Sequence, residues 1–313
     1  MRIGFEIRGR VLCSRAVRLA LLSGLIGLWA CSTGTSAAGT TDEDRIAIVA
    51  TTSILGDVVS NVVGDAADVE VVLPAGTDPH DFEPSPQQVA AIGAADLVVA
   101  NGLGLEEGLA DVIEAASAEG TPVLQLADGL DPIPRVGSQG TEALGESQDP
   151  HFWHDPDRMA RAIDLIASEL SMLDASVDWQ GEAAPYRAEV TAAGIEADEI
   201  LSEVPTEQRV LVTSHDSLGY FADRFGFTVV ATVIPGGSTL AEPSSREIAE
   251  LVDTIDTTGV SAIFADATNS TALAETVAAE AGRDVEVVVL FTDTLGEPGS
   301  GADTYLGMIL TNA

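Results

Sequence analysis

The sequence contains no lysine: its 14 basic residues are all arginines, set against 50 acidic ones, for a formal charge of −36. Phosphate backbones demand a basic footprint, so nucleic acid is excluded as a partner. The same imbalance concentrates small cations within a Debye length, about 8–10 Å, and keeps the surface soluble. It attracts cations without choosing among them.

Cysteine is scarce, with only Cys13 and Cys31, and histidine occurs four times in 313 residues. No H-E-x-x-H or C-x₂-C run is present, which removes the local signatures of a helical metalloprotease or a structural zinc knuckle. There is no internal sequence repeat beyond a recurring strand and helix layout.

What is present begins with an address. Arg2, Arg8, Arg10, Arg15 and Arg18 precede an apolar run over residues 19–30. A basic segment before a short apolar core reads as an export signal, and the run falls short of the ~20 residues a membrane-spanning helix needs. Leu28-Trp29-Ala30-Cys31 resembles the bacterial lipobox, in which a small residue precedes a cysteine that is acylated and becomes the new N-terminus, although Trp29 is bulky for its place. We therefore expect a signal peptide over 1–30, a lipid anchor at Cys31, and a location on the extracytoplasmic face of the cell membrane. Losing Cys13 with the signal leaves no partner for an internal disulfide. Residues 31–44, rich in Ser, Thr, Gly and Ala, predict a flexible tether.

From Arg45 onward, short Val/Ile/Leu runs alternate with helical stretches. Strands are predicted at 46–50, 69–73, 97–100, 123–126, 210–213, 229–234, 262–265 and 285–291, as expected for strands buried on both faces of parallel sheets. Between about 156 and 204 two helical stretches follow one another without a strand, and the second, 182–204, would be roughly 35 Å long. This predicts an α/β protein of two lobes, each a mainly parallel sheet flanked by helices, joined by one long rigid connecting helix. The boundaries expected are 45–180 for the first lobe, 181–204 for the helix and 205–313 for the second lobe. A single sheet with a helical insertion is the alternative.

Three groups stand just past predicted strand ends: His80 in Thr77-Asp78-Pro79-His80, His215 in Thr213-Ser214-His215, and Asp293 in Phe291-Thr292-Asp293. Open α/β sheets bind ligands outside the carboxyl ends of their strands. His151 lies in a loop before the Asp155-Pro156 that opens a helix, and a loop can also deliver a ligand to a cleft. Three imidazoles and a carboxylate suit Zn²⁺ and tolerate Mn²⁺, and four protein ligands leave no open position for a reactive water. His154 is expected at the surface, and Asp78, Glu83, Asp149, Asp155 and Asp216 are candidates for orienting the imidazoles or for capping helices.

Four segments, in order, carry a resemblance: Thr77-Asp78-Pro79-His80-Asp81-Phe82-Glu83-Pro84, continuing through Asn101-Gly102-Leu103-Gly104-Leu105-Glu106; Asp149-Pro150-His151-Phe152-Trp153-His154-Asp155-Pro156; Ser214-His215-Asp216-Ser217; and Thr292-Asp293-Thr294-Leu295. The chain resembles the metal-specific solute-binding receptors of ABC importers, the cluster 9 or ZnuA/TroA-like zinc and manganese family. The resemblance implies His80, His151, His215 and Asp293 as metal ligands, two α/β lobes joined by a long helix, and delivery of the ion to a permease with its ATPase by a monomeric, non-enzymatic carrier. Histidine at 215 leans toward zinc, as many manganese receptors carry Glu there; the absence of His from 129–148 leans the other way. An adhesin or interaction lipoprotein of the same fold, and a metallohydrolase, are the competing readings.

Overall fold

A computed structural model of the chain describes residues 45–136 and 143–313. The expected signal segment, Cys31 and the tether lie outside the described residues. The first sheet comprises β1 (Ile46–Ala50), β2 (Ala67–Val71), β3 (Leu97–Ala100) and β4 (Val123–Gln125), with helices α1 (Ser53–Val63), α2 (Pro86–Ala94) and α3 (Ala110–Glu119) between them. A short antiparallel hairpin follows, β5 (Pro134–Val136) with β6 (Ala143–Gln148), then α4 (Pro156–Leu173) and α5 (Trp179–Leu201). The second sheet holds β7 (Val210–Thr213), β8 (Thr228–Thr232), β9 (Ala262–Asp266) and β10 (Glu286–Leu290), with α6 (Gly219–Phe225), α7 (Ser245–Thr258) and α8 (Ala272–Glu280) between them and α9 (Tyr305–Asn312) last.

Both sheets are parallel, ordered β2-β1-β3-β4 and β8-β7-β9-β10. Each lobe thus runs second, first, third, fourth. This shared topology has no counterpart in sequence identity, because a buried parallel strand asks only for a short apolar run. In both sheets the order reverses beside the first strand, and the crevice at such a reversal is where α/β sheets bind ligands.

Local chemistry explains the helix boundaries. Ser85 and Gln88 close a capping box at α2, with Pro86 at its first turn; Ser244 and Glu247 do the same at α7. Each satisfies amide N–H groups that have no partner inside the helix. Asp155 caps α4 ahead of Pro156, and Asp178 caps α5, so α5 starts three residues before the predicted 182 and ends at Leu201. The first edge strand, β2, also sits two residues early, because Val72 and Leu73, though buried, lie past the ladder. The hairpin was not anticipated from the sequence.

Along α5 the buried residues Trp179, Ala183, Tyr186, Val190, Ala193, Gly194, Ala197 and Leu201 recur every three to four positions, and they face α4 and the core. At Gly194 an added Cβ would sit 2.8 Å from Pro156 Cβ, so only glycine lets α5 approach the start of α4 this closely. One continuous core joins Ile48 and Leu97 of the first sheet, Trp153 and Val190 of the helical layer, and Leu211, Phe221 and Tyr305 of the second half. Smaller clusters fill the outer face of each sheet, around Val98 and Ile113 and around Ile255 and Ile263. Fully burying such a side chain contributes roughly 1.5–3 kcal/mol, so a shared core resists wide separation of the lobes.

Candidate metal centre

The four groups singled out from the sequence converge. One ligand-capable atom from each of His80, His151, His215 and Asp293 lies within 4.8 Å of the other three, and all four residues are buried. The imidazole centroids form a nearly equilateral triangle, at 5.7, 5.5 and 5.4 Å. Asp293 closes the fourth side, with Oδ2 3.1 Å from His215 Nε2 and Oδ1 3.9 Å from His151 Nε2. Two groups come from each half of the chain.

Each is placed by its own neighbours. The His80 N–H donates to Asp78 Oδ1 at 2.9 Å, while Asp78 Oδ2 accepts from Thr239 Oγ1 at 2.6 Å, in the other lobe. Asp149 Oδ1 accepts both the His151 backbone N–H, at 2.9 Å, and its ring Nδ1, at 2.7 Å. That contact directs Nε2 toward the triangle, the usual arrangement behind an imidazole ligand. Tyr220 Oη donates to the Asp149 carbonyl at 2.9 Å, and Asn101 Nδ2 to the Pro150 carbonyl at 2.9 Å, so the loop is held from two directions. His215 follows β7 directly, its carbonyl accepting from Thr213 Oγ1 at 2.8 Å. Asp266, at the end of β9, accepts from the backbone N–H of Thr292 at 3.2 Å and from its hydroxyl, which orders the residue preceding Asp293.

Burial is the largest influence on the titration of all four groups. Burial holds the His80 and His151 imidazoles below their ordinary range, hence neutral. Burial lowers His215 too, but the Asp293 carboxylate more than offsets this and raises it to about 9. Burial pushes Asp293 itself up, opposed by His215. Burial likewise drives Asp149 up, to about 8, against the opposing bond from the His151 N–H. The ring nitrogens of His80, Nε2 of His151 and of His215, and both Asp293 oxygens have no hydrogen-bond partner among the described residues. Buried polar atoms left this way are costly, and those of these four residues face one another.

Among the groups read as possible orienting residues, Asp149 and Asp78 act on imidazole loops, Asp155 caps α4, and Glu83 is exposed. Asp216 is buried and pushed up to about 6 by that burial. His154 corrects the surface expectation: it is 1% exposed, because the short helical turn Phe152–His154 carries it into the core. It is absent from the converging set. Asp266, Thr292 and Trp153 escaped the sequence reading. Asp266 ends a strand, as the rule for His215 would have noticed; Trp153 left no local signal.

The chain is similar to known proteins over most of its length. The profile of the family described as zinc-uptake complex component A, periplasmic (ZnuA), matches residues 48–313. The manganese-binding lipoprotein MntA of Halalkalibacterium halodurans is 30% identical over 301 residues, spanning 92% of this chain and 93% of that one. The manganese ABC transporter substrate-binding lipoprotein PsaA of Streptococcus pneumoniae is 28% identical over 295 residues, 92% of each chain. Among solved structures, the periplasmic zinc-binding protein TroA from Treponema pallidum aligns with a TM-score of 0.76 at 26% identity, covering 86% of this chain and 96% of that one. The chain belongs to the ZnuA family, the metal-binding receptors of ABC importers.

Proposed function

We propose that His80, His151, His215 and Asp293 together bind one Zn²⁺ or Mn²⁺ ion as cargo, which the protein surrenders to a membrane permease with its ATPase. The observation that carries this reading is the convergence of four buried ligand groups whose inward atoms have no other partner. A tetrahedral shell at ~2.0 Å puts ligand atoms roughly 3.3 Å apart. Closing from 4.8 Å asks for side-chain adjustment of about an ångström, well within rotamer freedom. Four protein ligands complete that shell, which favours carriage over hydrolysis, since a catalytic zinc keeps one position for water.

Three imidazoles and one carboxylate favour Zn²⁺ over Mn²⁺, which prefers oxygen-rich sets. The names of the relatives divide: MntA and PsaA are named for manganese and TroA for zinc. The relatives named lipoproteins and the sequence around Cys31 support attachment at the extracytoplasmic membrane face by an N-terminal lipid. Among the described residues no helix is long and apolar enough to cross a membrane. The division into lobes at 45–180 and 205–313 about a connecting helix belongs to the same reading.

The test is calorimetric titration of the metal-stripped protein with Zn²⁺ and with Mn²⁺ separately, beside the His80→Ala variant. The expected result is one site per chain, tighter for Zn²⁺, and a loss of orders of magnitude in the variant with the fold intact. An unchanged titration in the variant would refute the assignment.

A further inference from the structure

Each imidazole of the triangle has a second nitrogen that must be held if the first is to face an ion. For His151 the holder is Asp149, at 2.7 Å. For His215, Ser214 Oγ stands 3.4 Å from Nδ1. For His80, the nearest carboxylate is Glu107, with Oε1 3.7 Å from Nδ1. His80 is almost wholly buried, whereas the Glu107 side chain is 42% exposed. Its partner is therefore the holder in contact with solvent.

Glu107 reaches this place by construction. Glu106, beside it and buried, accepts from the backbone N–H groups of Asn101 at 2.7 Å and Gly102 at 3.3 Å and from Thr51 Oγ1 at 2.6 Å. This carboxylate gathers the ends of β1 and β3 and sets the start of the turn Glu107–Leu109. Gly108 in that turn lies against the His80 loop so closely that any side chain would collide with the Phe82 carbonyl oxygen. The turn and the loop are thus fitted face to face, which sets the Glu107 carboxylate 3.7 Å from the imidazole.

We propose that Glu107 is the positioning residue of His80: as the ion enters, its carboxylate accepts the Nδ1–H and fixes Nε2 on the metal. This rests on the metal-receptor reading above. It makes Glu107 a positioning residue, with no bond to the ion itself, and distinguishes His80 as the ligand whose support is water-facing. Loss of such an outer partner typically weakens metal binding 10–100-fold.

The experiment compares wild type, Glu107→Ala and Glu107→Gln in the full chain, by Zn²⁺ titration and by ¹⁵N NMR of the His80 ring in the zinc-loaded protein. Glu107→Ala is expected to raise the Zn²⁺ Kd about 10–100-fold and to expose the Nδ1 proton to faster solvent exchange. Glu107→Gln should recover most of the affinity and the slow exchange, because the amide oxygen also accepts a hydrogen bond. If wild type binds and Glu107→Ala matches it in affinity and proton exchange, the positioning role is overturned while the metal reading stands. If Gln is as weak as Ala, the effect is one of charge and the role is again overturned. If wild type takes no zinc, the metal reading falls, and this inference with it.

Discussion

The indole N–H of Trp153 donates to the backbone carbonyl of Thr292 at 2.7 Å in a buried position. Trp153 lies two residues after His151, and Thr292 immediately precedes Asp293. One hydrogen bond therefore ties together the segments that carry His151 and Asp293, from opposite halves of the chain. Tyr305 Oη, donating to the Trp153 carbonyl at 2.9 Å, ties the last helix to the same point.

Trp153→Phe keeps the ring packing but removes the indole donor from the buried Thr292 carbonyl. Losing such a hydrogen bond costs about 0.5–1.5 kcal/mol. We expect a lower melting temperature for the metal-free protein and weaker Zn²⁺ binding, read by thermal denaturation and titration. Normal values in both would mean that Thr292 is positioned by Asp266 alone.

Zinc affinity should depend on pH through His215. A protonated imidazole cannot ligate, and Asp293 raises His215 to about 9. Below that value binding must expel a proton, so affinity climbs roughly tenfold per pH unit and levels off above it. In the metal-free protein the sign is opposite: His215 is raised above its ordinary 6.5, so its contribution to stability is complete below 6.5 and disappears as pH rises through about 9. Calorimetry in buffers of different ionisation enthalpy at neutral pH would count the proton released.

Asp293→Asn removes both the charge that holds His215 up and a ligand oxygen. Burial then dominates, and the His215 titration should move down from about 9, visible by NMR. Zinc affinity should fall by orders of magnitude. A His215 titration that stays high would place its stabilising charge elsewhere, with Asp266 the next carboxylate to examine.

His154 is buried and held down to about 3 by that burial. The unfolded chain binds its proton near 6.5 and the native state does not. Stability should therefore fall by ~1.4 kcal/mol per pH unit below that value. His154→Leu should lessen the acid slope in denaturant titrations by that share, with the buried His80 and His151 keeping theirs, while leaving zinc affinity nearly unchanged. A loss of affinity comparable to that of His80→Ala would bring His154 into the centre.

Thr239→Val breaks the bond from Thr239 Oγ1 to Asp78 Oδ2, which joins the two lobes beside His80. A hydrogen bond worth ~1 kcal/mol corresponds to about a fivefold change in rate. Stopped-flow chelation should show zinc leaving faster by about that factor; an unaltered off-rate would mean that this contact does not restrain opening.

Strand and helix order, the parallel character of both sheets and the identity of the four converging groups were legible along the chain. Apolar runs, capping residues and strand-end positions are local properties, each read within a few residues. The burial of His154, the hairpin, the roles of Trp153, Asp266 and Glu107, and the continuity of one core through both lobes were decided only by tertiary structure. Those depend on contacts between residues remote in sequence, such as 153 with 292 or 107 with 80, and no pattern within a single segment encodes which distant partner a side chain will meet.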